Sequence, residues 1–212
     1  MIVALLLAAT PAASFKADFP KAKVSEAVPG GPLVSAQGFV ARGMGNTPES
    51  AAKAFVERYG KLFGVTGDDK LGSAEKPVKS KKGTTVSFER QHQGDPIFDA
   101  NLVVGLNGAN SVVSVKTVAV PQKTSGSFKL SKEDIIRAAA ETQSDLSRDS
   151  PPHANRGWIV WGDALKAVWH VDLVAGNPQT IWRSTIDGDD GTLMTRTDLH
   201  PDTKRQKRDL AN

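Results

Sequence analysis

Between Gly83 and Val120 the sequence reads GTTVSFERQHQGDPIFDANLVVGLNGANSVVSVKTVAV, and this run limits the possible folds more than any other. From Phe98 to Leu106 apolar residues take every second place (Phe98, Ala100, Leu102, Val104, Leu106), with Asp99 and Asn101 between the first of them. Side chains alternate across a strand, so such a pattern sets one face on a core and the other in water. Val86 and Phe88 supply the same face upstream, and Val113, Val115 and Ala119 continue it downstream. NGAN, from Asn107 to Asn110, is a hairpin signal, because Asn and Gly accept left-handed backbone at little cost. The expectation is a three-stranded antiparallel meander whose apolar face something else must cover.

The cover precedes it. In NTPESAAKAFVERYGKLFGV, Thr47 suits an N-cap and Pro48 the first helical position, where a missing N–H costs nothing. Phe55, Val56, Tyr59, Leu62 and Phe63 make one apolar stripe at helical spacing, Gly60 weakens its middle, and Gly64 is a stop. The polar, basic stretch from Thr66 to Lys82 reads as a loop.

After PQKTSGS (Pro121–Ser127) the order of elements repeats. LSKEDIIRAAAETQ offers Ser131 as N-cap with Asp134 three residues on, and Ile135, Ile136 and Ala139 face a core. Gln143 to Gly157 reads as a polar loop. Leu165, Ala167, Trp169, Val171 and Leu173 then share a strand face, GNPQ turns the chain, and TIWRSTID, GDDG and TLMTRTDL form strand, turn and strand. The fold class expected is α+β: two small tandem units, each a helix on an antiparallel sheet of about three or four strands.

The ends differ from the middle. MIVALLLAATPAAS has the apolar run Ile2–Ala9 and then small residues at Ala12, Ala13 and Ser14, as an export signal does, so the chain is expected to be secreted or periplasmic. Eight apolar residues are too few to span a bilayer as a helix. The expected organisation is a signal segment over 1–14, an extended lead-in over 15–45, the first unit over 46–121, a linker over 122–128, the second unit over 129–200 and a basic tail over 201–212. In that tail Arg205, Lys207 and Arg208 make an exposed site for a protease that cuts at basic residues, and an ordinary solvated tail explains them equally well.

Chemistry is sparse. The chain has no cysteine, which removes disulfides and thiolate sites. Its net charge of +4 is concentrated in the tail and around Lys76, Lys79, Lys81 and Lys82, without the interleaved aromatics of a nucleic-acid surface. His92, His153, His170 and His200 show no metal-ligand spacing, and there is no HExxH. DGDDG, from Asp187 to Gly191, crowds its acids into five residues, so a hairpin turn explains it better than a calcium loop. No nucleophile elbow or glycine-rich phosphate loop appears. No catalytic residue, metal site or cofactor is expected, and the chain itself reads as a non-enzyme.

TPESAAKAFVERYGKLFGV followed by TTVSFERQHQGDPIFDANLVVGLNGANSVVSVKTVAVP resembles the fungalysin/thermolysin propeptide domain, FTP. Phe88, Arg90, Gly94, Pro96, Ile97, Phe98, Leu102, Val103 and Val104 fill the places of that family's strand-pair pattern. LSKEDIIRAAAE with AVWHVDLV and TIWRSTIDGDDGTLMTRTDL resembles a PepSY domain, whose usual ending is matched at Ile186, Asp187, Gly191 and Leu193. Gly188, Asp190 and Thr192 depart from the usual Ala, Thr and Glu. The resemblance covers about Thr47 to Leu199. It implies the prosequence order of thermolysin-like and fungalysin-like zinc metalloproteases, a partner that is the cognate protease catalytic domain, and a role as its inhibitor and folding assistant. Arg90, Gly94, Pro96, Phe98, Asp187 and Gly191 would then be residues that shape the fold, with Phe98 entering the core. The alternative is a free-standing secreted or periplasmic PepSY-type binding module with no attached protease.

Overall fold

The computed structural model of the chain describes residues 9–81, 83–147, 150–176 and 180–199. These form an α+β protein that divides into two units at Val120/Pro121. Most of the hydrophobic run Ile2–Ala9, the tail residues Arg205, Lys207 and Arg208, and His200 lie outside the described residues.

The first unit opens with a helix, α1 (Pro11–Asp18), N-capped by the Thr10 hydroxyl, which accepts from the Ala13 N–H. An extended lead-in was the expectation here. Phe15 explains the difference. It is fully buried and meets Phe19, Phe39, Phe55, Tyr59 and Phe63, so one side chain fixes the helix against the core. Two strands follow, β1 (Lys23–Glu26) and β2 (Leu33–Ala41). Then comes α2 (Pro48–Tyr59), where Thr47 and Ser50 cap each other's backbone N–H groups. At Gly60 the helix tightens into a 3-10 turn (Gly60–Phe63), and Gly64 ends it in the left-handed conformation at φ 75°.

Residues 66–82 are not simply loop. They hold β3 (Asp69–Ala74) and β4 (Val78–Ser80), which pair with successive parts of β5 (Gly83–His92). β6 (Asp95–Pro96) folds back on the end of β5, and β7 (Leu102–Leu106) and β8 (Val112–Lys116) complete the sheet. The order along the sheet is β1-β2-β8-β7-β5-β3, with β4 and β6 also on β5, eight strands where three or four were expected. α1 and α2 cover one face over a core that includes Leu33, Phe39, Phe55, Val86, Val104 and Leu106. A register shift opposite Leu106 makes Val112, not Val113, the buried partner, and Ala119 is exposed.

In the second unit the residues expected as linker already belong to the fold. β9 (Thr124–Ser125) pairs in parallel with the start of β11, and Phe128 packs edge-on against Trp158 and Trp169. α3 (Lys132–Glu141) starts at Ser131, whose hydroxyl accepts from the Asp134 N–H and donates to the Asp134 carboxylate. The stretch expected as loop up to Gly157 becomes β10 (His153–Trp161) from His153 onward. β11 (Ala164–Ala175), β12 (Thr180–Asp187) and β13 (Leu193–Asp198) follow, giving the order β10-β11-β12-β13. Ile135 and Ala139 of α3 close this sheet over Ala154, Trp169, Val171, Leu173 and Ile186.

Candidate functional site

The residues that carry the resemblance occupy two places, one in each unit. In the first unit they surround the end of β5. Gln93 and Gly94 both have positive φ, 53° and 88°, and link His92 to Asp95 as a two-residue hairpin. Pro96 then pairs with Gln91, and the Ile97 N–H donates to the Arg90 carbonyl at 2.7 Å. This brings Ile97, not Phe98, into the interior. Ile97 is 1% exposed, whereas Phe98 is half-buried, and Asp99 in the left-handed region resets the chain so that Ala100 and Leu102 point inward again. The expectation that Phe98 fills the core is corrected on this point.

Arg90 sits directly behind that turn with no exposed surface. Its Nη2 donates to Asp69 Oδ2 at 2.8 Å and to the Gly64 carbonyl at 2.7 Å, and its Nη1 to the Val118 carbonyl at 3.3 Å. One guanidinium thus joins the end of the α2 segment, the start of β3, β5 and the chain after β8. His92 Nδ1 lies 3.0 Å from the other Asp69 oxygen, so a single buried carboxylate is shared by two partners. Burial pulls the Arg90 guanidinium below its ordinary value, while the Asp69 charge and hydrogen bond act against that. Asp69, which falls in a stretch that reads as loop, is the residue sequence reasoning missed.

The second place is the β12–β13 turn. The Gly191 N–H donates to the Asp187 carbonyl, and the Asp187 N–H to the Thr192 carbonyl. Lys166 Nζ reaches Asp187 Oδ2 at 2.7 Å, a hydrogen bond that raises the lysine's pKa. Asp189 accepts from the Ser127 backbone and hydroxyl and pairs with Lys129 at 3.1 Å, so its pKa falls, chiefly through the hydroxyl. Asp190 accepts from the Thr192 N–H, which lowers it too. Asp187 ties the turn to β11, Asp189 ties it to the segment before α3 and Asp190 bonds within it, so the carboxylates do not converge on one point, and no cluster of three or more metal-ligating side chains occurs among the described residues. His170 and Asp172 share the half-buried face of β11, where Asp172 holds Arg183 through two 2.8 Å bonds.

The first unit also carries a groove. It runs between α2 and the outermost strand β3, encloses about 520 Å³, and has an apolar floor of Val56, Leu71, Ala74 and Phe88. Glu49, Lys53 and Glu57 line its helical wall.

The described residues therefore define a class: a pair of helix-on-antiparallel-sheet units whose signature residues serve the framework. Neither a family model nor a curated protein matches the chain. Among solved structures the chain is similar to the Bacillus megaterium YpeB C-terminal domain, with 14% identity and a TM-score of 0.39 over 81% of this chain and 74% of that one.

Proposed function

We propose that the chain is a proregion: an inhibitor and folding assistant of a secreted zinc metalloprotease, joined to it or acting in trans. The observation that carries this reading is the work done by the residues on which the resemblance rests. Arg90, Gly94 and Pro96 form one turn braced by one buried guanidinium, and Asp187 and Gly191 form another. Both motifs stabilise a frame and leave outer strands open, as suits a surface that engages another protein. A prosegment that binds the native protease better than the unfolded chain stabilises it by mass action, and inhibits it when the contact covers the cleft.

The test is titration of the purified chain against each HExxH-bearing secreted metalloprotease encoded in the same genome, reading peptide hydrolysis and recovery from denaturant. The expected result is stoichiometric inhibition of one of them and a higher refolding yield. Binding without inhibition would favour the free-standing PepSY-type module. Neither binding nor inhibition of any of them would overturn both readings.

A further inference from the structure

The groove beside α2 is built like a receptor for a strand. β3 ends the sheet, and among the described residues it pairs with β5 alone. Its ladder to β5 runs from Asp69↔His92 to Leu71↔Arg90 and resumes at Ala74↔Phe88, so Gly72 and Ser73 together face Glu89. Two residues against one is a bulge, which bends β3 where it lines the groove, while the outer N–H and C=O groups of this edge strand have no ladder partner among the described residues. A strand edge with spare N–H and C=O groups selects an extended chain, and the apolar floor selects side chains projecting from alternate positions of it. The helical wall adds a sign. Among the residues lining the groove, Glu49 and Glu57 are acidic and Lys53 is the one basic residue; the Lys53–Glu57 pair is loose at 4.0 Å, and Glu49 has no ion pair among the described residues.

We propose that the groove between α2 and β3 binds an extended peptide segment that adds to the outer edge of β3, sets apolar side chains on Val56, Leu71, Ala74 and Phe88, and turns a basic side chain to Glu49 and Glu57. This rests on the chain being a protein-binding module and does not require the protease.

The experiment selects random seven-residue peptides displayed on phage against the full chain, then measures the enriched peptides as soluble probes with three proteins. Wild type should enrich peptides that alternate apolar residues and carry Lys or Arg. Ala74→Pro, whose N–H points away from β5 because the next one, on Glu75, bonds the Ser87 carbonyl across the ladder, and the double variant Glu49→Gln/Glu57→Gln, which keeps size and exposed position, should each weaken them by about tenfold. Amide NMR shifts on binding should centre on Leu71–Ala74. No enrichment, shifts centred elsewhere, or full affinity in both variants would overturn the proposal. Protease inhibition is read separately, so loss of that function with peptide binding intact would strike the proregion reading alone.

Discussion

Arg90 and Asp69 meet at 2.8 Å with the arginine fully buried and only 4% of the aspartate side chain exposed. Two charges that far from water cost several kcal/mol each to desolvate, and their attraction repays it only with good geometry and further hydrogen bonds. Here the further bonds exist, to Gly64, Val118 and His92. The pair therefore specifies where β3 and the end of the α2 segment must lie, whatever its net contribution to stability.

Removing one partner should do more damage than removing both. Asp69→Ala leaves a buried guanidinium unpaired and should destabilise the first unit by about 3–5 kcal/mol, a large share of a typical total. Asp69→Leu with Arg90→Met should recover much of that loss. All four tryptophans lie in the second unit and the single tyrosine in the first, so urea unfolding followed by tyrosine and tryptophan signals separates the two. A cost for Asp69→Ala below about 1 kcal/mol would contradict the buried charge pair.

Tyr59 should make the first unit sensitive to alkali. Its pKa is pushed up to about 12, first by burial, then by the hydrogen bond its hydroxyl donates to Asp18 at 2.7 Å and by the Asp18 charge. The folded state holds the phenolic proton more tightly than the unfolded state. The stability this supplies is complete below pH 10 and lost as pH rises toward 12, about 2–3 kcal/mol in all. Tyr59→Phe should flatten that part of the profile. Because Tyr59 is the only tyrosine, the rise of tyrosinate absorbance reads its ionisation directly. A midpoint near 10 in the folded protein would remove the effect.

The elements that sequence reasoning placed well are those whose periodicity is local. α2, α3 and the regular halves of β5, β7 and β11 carry unbroken apolar spacing. The elements it missed lack that signal for identifiable reasons. β3 looks like loop because its buried residue is Asp69, acceptable inside only through Arg90, a contact 21 positions away. β10 loses its alternation at Gly157 and Trp158, both buried in succession. α1 has one fully buried side chain, and its small neighbours look like a cleavage site. At Phe98 and Val113 the strand parity was carried through a left-handed Asp99 and a register shift, each of which flips the buried face. The framework role of Arg90 came only from the resemblance, since no spacing rule reveals a buried arginine.

The β12–β13 turn should reject a side chain at Gly188 more strongly than at Gly191. A Cβ at Gly188 would lie 2.7 Å from the Ser127 carbonyl oxygen and 3.2 Å from that of Ala167, both backbone atoms. At Gly191 it would meet the flexible Leu130 side chain at 3.1 Å, with φ at 78°. Gly188→Ala should cost about 1–3 kcal/mol through crowding and Gly191→Ala about 1–2 through backbone strain. The prediction bears on the PepSY resemblance, whose usual residue at 188 is Ala. Tryptophan-monitored unfolding that finds Gly188→Ala neutral would mean the turn can open to the family's form.

Phe15 should prove indispensable to the first unit although it stands one residue beyond the expected cleavage region. It is fully buried among five aromatic rings, so Phe15→Ala should cost about 3–5 kcal/mol. Cleavage after Ser14 would keep Phe15 but remove the Thr10 cap and the first turn of α1, a loss of about 1 kcal/mol. Chains starting at residues 10, 15 and 19 should therefore fall in that order of stability, with the largest step at the last. A chain beginning at residue 19 that unfolds at the same urea concentration as one beginning at residue 10 would show that α1 is not part of the core.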